Sequence, residues 1–126
     1  MTREHLLEKV RERKKQTGMT LDNISKLSHL GNRTVTRFFS GEDVKLSTVE
    51  KVTNVLGLDF AGNEILDIKT LRDKRAKEKA IYIISLVQDT SALEMQGLDI
   101  NDINILIQET KEQFLTGEYQ KNLWAN

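Results

Sequence analysis

No proline occurs anywhere in these 126 residues, and glycine appears only seven times. Proline removes a backbone donor and clashes with the preceding helical turn, and glycine costs more backbone entropy than any other residue on ordering. A chain almost free of both meets few interruptions to helix, so it is expected to be all-α, with its glycines marking where helices stop.

The apolar spacing divides the chain into helical segments. The spacing of Leu6, Leu7 and Val10 predicts a first helix from Glu4 to about Gln16, ended by Gly18, with the basic run Arg11 to Lys15 left outside. Thr20 reads as an N-cap with Asn23 in the capping-box position, opening a second helix over Leu21 to Ser28 that turns Ile24 and Leu27 inward. A tight turn, His29-Leu30-Gly31, leads to a third helix from Asn32 to Phe39, closed at Gly41. Ser47, with Glu50 three residues on, reads as the N-cap of a fourth helix carrying Val49, Val52, Val55 and Leu56 up to Gly57.

A domain boundary is expected near Asn63, giving domains 1–63 and 64–126. Beyond it a long helix is expected from about Ile68 to Gln88, through the apolar run Ala80 to Val87. Its isoleucines also suit a buried strand, but length and the flanking Ala, Lys and Glu favour helix. A short continuation over Thr90 to Gln96 ends at Gly97. Asp99 then caps a last helix with Ile103, Leu106, Ile107, Thr110 and Phe114 on one face, stopped by Gly117 and followed by Leu123 and Trp124.

Composition narrows the function classes. Cysteine is absent, so disulfides, thiolate metal sites and a cysteine nucleophile are excluded, and two isolated histidines make no ligand cluster. No nucleophile, base and orienter occur together, so neither an enzyme nor a cofactor is expected. The charged start of the chain and the shortness of its apolar runs lead to a cytoplasmic protein with no membrane partner. Net charge is zero, yet residues 1–60 carry a net +3 and residues 61–126 a net −3, as if the halves face different partners.

The stretch Thr20 to Gly41, TLDNISKLSHLGNRTVTRFFSG, with the helix Ser47 to Leu56, resembles the Cro/CI (XRE) family of helix-turn-helix regulators over roughly the first half of the chain. The markers are apolar Ile24, small Ser25, Leu30 after the turn, Val35 in the third helix, and Gly41. Two positions depart from the family pattern. His29 stands where the family usually has a glycine in left-handed backbone, and Phe39 stands where a glutamate often pairs with the first helix, here at Lys14; Phe39 is expected to pack instead.

The resemblance implies a third helix lying in the major groove of double-stranded operator DNA. Asn32, Arg33 and Arg37 would read bases, with Thr34 and Thr36 beside them, and Lys14, Thr20, Gly31, Ser40 and Lys45 would hold the backbone. One copy reads few base pairs, so a homodimer on two half-sites is implied, acting as a repressor. The C-terminal half is expected to supply the interface through Ile81, Ile84, Val87, Ile103, Leu106, Ile107, Phe114 and Trp124. For Trp124 an interface anchor and a cover over the helix ends remain equal alternatives. The basic stretch Lys69 to Lys79, net +4, suits a DNA-backbone contact, a face toward the acidic last helix, or plain solvation. Two further readings stay open: an antitoxin that binds a toxin through its C-terminal half, and a repressor that senses a small ligand.

Overall fold

The computed structural model describes residues 2–93 and 100–125, with the backbone alone for 87–93. Among these residues the protein is all-α, with helices α1 (Arg3–Thr17), α2 (Leu21–Ser28), α3 (Asn32–Phe39), α4 (Leu46–Val55), α5 (Ile68–Leu93) and α6 (Ile100–Leu115), and a 3-10 turn at Gln120–Asn122. The β-type pairing among them is an isolated antiparallel bridge between Leu58 and Glu64. No helix of the described residues is long and apolar enough to cross a membrane. The described residues form two compact units, one up to Leu71 and the other from Arg72 to Ala125, dividing within α5 rather than at the Asn63 composition change.

Unit 1 is built around Val10, Met19, Ile24, Val35, Phe38, Phe39, Val52, Leu56, Leu58 and Leu71. Its helices end on local chemistry. The Thr2 hydroxyl accepts the His5 N–H at the start of α1, and Gly18, at φ 77°, closes its end. Thr20 and Asn23 complete the expected reciprocal capping box. Beyond α4, Gly57 at φ 73° lies so close to the chain that an added Cβ would stand 3.3 Å from Leu66. The Gly57 carbonyl also accepts the Ile65 and Leu66 N–H groups. This contact draws residues 58–71 onto the first four helices, which is why unit 1 runs past Asn63.

Two expectations require correction. The basic run Arg11 to Lys15 does not all stay outside: Arg13 is only 4% exposed, sharing the α1 face of Val10 and Thr17 at helical spacing. Its guanidinium is satisfied by the Leu66 carbonyl and an ion pair with Glu64, partners more than fifty residues away. Ser47 is not the N-cap of α4. The helix starts one residue before it, with Lys45 in extended backbone as N-cap and the Lys45 carbonyl accepting from Thr48 and Val49.

Unit 2 has a smaller core of Ala76, Ala80 and Ile84 from α5, Phe114 from α6, and Leu123 and Trp124 from the C-terminal segment. Helix α5 runs unbroken to Leu93, so the residues before 94 continue it. The remainder of the expected 90–96 helix, its stop at Gly97 and the cap at Asp99 lie outside the described residues. On α6 the expected stripe is observed: Phe114 is buried and Ile103, Leu106, Ile107 and Thr110 are half-buried, with mostly exposed residues around them.

Candidate functional site

The candidate site is the outward face of α3, and the turn that precedes it sets its direction. At the end of α2 the His29 N–H donates to the Lys26 carbonyl and the Leu30 N–H reaches back to the Ser25 carbonyl, a Schellman closure. That closure needs a left-handed residue, and His29 takes the role at φ 59°, as the glycine-like position required. The Ser25 hydroxyl donates to the Leu30 carbonyl, so its small side chain clasps the turn from inside. Gly31 then serves as N-cap of α3 in extended backbone.

Helix α3 is sharply two-sided. Val35, Phe38 and Phe39 are buried, while Asn32, Arg33, Thr36 and Arg37 are exposed and Thr34 is half-buried. All five residues expected to read bases are therefore brought together on one helix. Phe39 packs as expected, its ring edge-on to Phe38 at 5.4 Å between centroids. A link between α1 and the end of α3 is made by Arg11, whose Nε and Nη2 donate to the Phe39 carbonyl at 3.0 and 2.6 Å. The sequence contained the signal, a basic run one helix away, but did not say which of its members would reach.

The expected backbone contacts are placed less uniformly. Thr20 and Lys45 sit exposed at the N-termini of α2 and α4, Gly31 is exposed at the start of α3, and Lys14 is half-buried on α1. The Thr20 oxygen accepts from Asn23, which leaves its own O–H available to donate. Ser40 is different: its hydroxyl lies 3.0 Å from the Arg37 carbonyl and 3.2 Å from a Glu42 oxygen, so its single proton is taken within the turn. An open groove beside α3, lined by Thr34, Arg37, Asp43, Val44, Lys45, Ser47 and Lys51, joins its C-terminal half to the start of α4. Its rim carries three cationic side chains, Arg37, Lys45 and Lys51.

Sequence reading did not pick out Glu42 and Asp43 at this edge. Gly41, at φ 90°, makes a second Schellman closure in which the Glu42 N–H donates to the Arg37 carbonyl, and Glu42 returns to pair with Arg37 Nε at 3.6 Å. Asp43 pairs with Arg3 of α1.

In unit 2 the residues expected at an interface divide into two groups. Ile84, Phe114 and Trp124 are buried within this chain; Trp124, 8% exposed, is not an exposed anchor. Ile103, Leu106 and Ile107 are half-buried, Ile81 is exposed, and the Val87 side chain lies outside the described residues. Exposed apolar residues that were not singled out surround them: Tyr82, Leu86, Ile100 and Ile105.

The basic stretch of α5 also takes an unforeseen part. Arg75 donates to the Leu123 and Ala125 carbonyls, Lys79 to the Asn122 carbonyl and Arg72 to the Leu115 carbonyl. The Lys79 ammonium also lies 5.2 Å from the centre of the Phe114 ring. Burial, and then the neighbouring Arg75 charge, hold Lys79 below the usual lysine range.

Among the described residues no group of three or more His, Cys, Asp or Glu side chains is placed to hold a metal ion. A scan against protein-family models and searches of curated proteins and of solved structures return no match to this chain.

Proposed function

We propose that the chain is a sequence-specific DNA-binding regulator of the Cro/CI helix-turn-helix type, acting as a dimeric repressor. The observation that carries this reading is the two-sidedness of α3. A helix anchored by Val35, Phe38 and Phe39, and held by the His29 turn against α2, presents Asn32, Arg33, Thr36 and Arg37 outward on a scaffold that fixes their spacing. That is what insertion into a major groove asks of a helix. The donors of Thr20, Lys45 and Lys51 flank it, where phosphates of a docked duplex would lie.

The paired copy is assigned to unit 2. Ile81, Tyr82 and Leu86 on α5 and Ile100 and Ile105 on α6 expose apolar surface that a second chain would cover, and with Ile84 and Phe114 buried internally this outer set carries the contact.

The test is selection of duplexes from a random-sequence pool by the full chain, followed by binding titrations at several salt concentrations. A selected sequence with two half-sites and an affinity falling with salt, at a slope of about −0.9 per phosphate neutralised, is the expected result. Arg33→Ala combined with Arg37→Ala removes the selection. A pool that emerges unenriched overturns the reading.

A further inference from the structure

We infer that Glu42 is the positioning residue for Arg37, and that the pair makes Arg37 a preset guanine reader while Arg33, one turn earlier, adapts to whatever lies opposite it. The inference rests on the DNA-binding reading of α3 and adds to it a residue outside the helix that determines specificity.

The geometry sets the two arginines apart. Arg37 is met by the turn that follows its own helix, at its main-chain carbonyl and, through one carboxylate, at its side chain. The Glu42 N–H and the Ser40 hydroxyl both donate to its carbonyl, at 3.1 and 3.0 Å. The Glu42 carboxylate faces Nε with one oxygen at 3.6 Å, and Ser40 lies 3.2 Å from the other. Gly41, in left-handed backbone at φ 90°, gives the chain the reversal that brings residue 42 back beside residue 37. Arg33 has no carboxylate within ion-pair distance among the described residues.

An arginine has five N–H donors in a rigid fork. A carboxylate on Nε leaves the two terminal nitrogens together at the far end, and these match the O6 and N7 acceptors that guanine presents in the major groove. Holding the guanidinium in that orientation beforehand removes rotamer entropy that a free side chain would lose on binding. The same carboxylate repels phosphates, so an Arg37 that misses its base gains little from the backbone instead. Glu42 is therefore expected to increase discrimination while lowering affinity for DNA in general.

The experiment uses the full chain and the duplex that it selects from a random pool. Wild type, Glu42→Gln, Arg37→Ala and the double variant are titrated against that duplex and against versions altered at single positions. Wild type is expected to prefer guanine at one position per half-site by about tenfold or more. Glu42→Gln should lose most of that preference while binding unrelated DNA at least as tightly, and in the Arg37→Ala background it should change nothing further at that position. An unchanged base preference in Glu42→Gln overturns the positioning role and leaves the DNA-binding reading standing. Failure of the wild type to select any sequence overturns both. In the free protein, the Arg37 Nε–H resonance should move in Glu42→Gln while the backbone spectrum elsewhere stays in place; a resonance that does not move also overturns the pairing.

Discussion

Unit 1 closes its helices with caps and turns and joins them through an apolar core, so its polar side chains on α3 are left facing out with little structural duty. Unit 2 works the other way round. Its two helices and C-terminal segment share few fully buried apolar residues, two cationic side chains of α5, Arg75 and Lys79, are committed to the carbonyls of that segment and a third, Arg72, to the end of α6, and isoleucines and a tyrosine are left outside. Unit 1 also turns two cations inward, Arg11 and Arg13, but its α3 keeps Arg33 and Arg37 exposed. The difference leaves a polar, cationic helix face exposed on unit 1 and apolar side chains exposed on unit 2.

The largest expected effect tests whether the two cores are separate. Leu56 is fully buried in unit 1, and Leu56→Ala should lower stability by about 2–5 kcal/mol through lost transfer energy and the cavity left behind. The chain has one tryptophan, Trp124, buried in unit 2, so its emission reports on that unit alone while circular dichroism follows all the helices. In Leu56→Ala the dichroism should show an earlier first transition in urea with the Trp124 midpoint in place. A Trp124 midpoint that moves by the same amount would mean that the chain unfolds as one body, and the contrast between the units would fail.

A smaller effect addresses the carbonyl clasp. Arg75→Ala removes donors to Leu123 and Ala125 and should destabilise unit 2 by about 1–2 kcal/mol, since the guanidinium is partly open to water, with a red shift in Trp124 emission. Protonation distinguishes the units as well. Hydrogen bonds from Asn63 hold Asp59 below its ordinary value of 3.8, and the Thr70 side chain and N–H do the same for Asp67. Carboxylates so lowered stabilise the fold above the ordinary value, and that contribution is lost as pH falls through the folded value, so unit 1 should weaken below about pH 4. Lys79 is a base whose folded value is lowered by burial, so the unfolded chain holds its proton to higher pH than the folded one. Unit 2 should therefore gain stability as pH rises toward 10.5, and Lys79→Met should flatten that rise. Urea melts followed by Trp124 emission from pH 8 to 11 would show it.

Much of unit 1 was legible because its signals are local. The ranges of α2 and α3, the Thr20–Asn23 box, the left-handed His29 and the packing of Phe39 each follow from residues within a few positions of one another. What escaped depends on distance along the chain or on the path of the backbone. Arg13 is buried because Glu64 and the Leu66 carbonyl come to meet it, and Glu42 reaches Arg37 through the reversal at Gly41. In unit 2 the apolar stripe of α6 was readable from its period. The inward turn of Arg72, Arg75 and Lys79 was not, since their partners are main-chain carbonyls, and every residue type supplies those.

The smallest effect concerns the turn that aims the candidate site. His29 carries a Cβ in left-handed backbone, a conformation that costs most residues about 1–2 kcal/mol, and glycine is free of that cost. Glycine also gives the unfolded chain more freedom, worth roughly 0.5–1 kcal/mol in the opposite direction. The two partly cancel, and His29→Gly should raise the stability of unit 1 by about 0–1.5 kcal/mol. His29→Val should lower it instead, because a β-branched residue is poorly accommodated at positive φ. Thermal melts of the three proteins give the order Gly, His, Val from most to least stable if the turn holds α3 as described. A valine variant as stable as wild type would mean that the turn takes another conformation, and the outward set of Asn32, Arg33, Thr36 and Arg37 would lose the hinge that directs it.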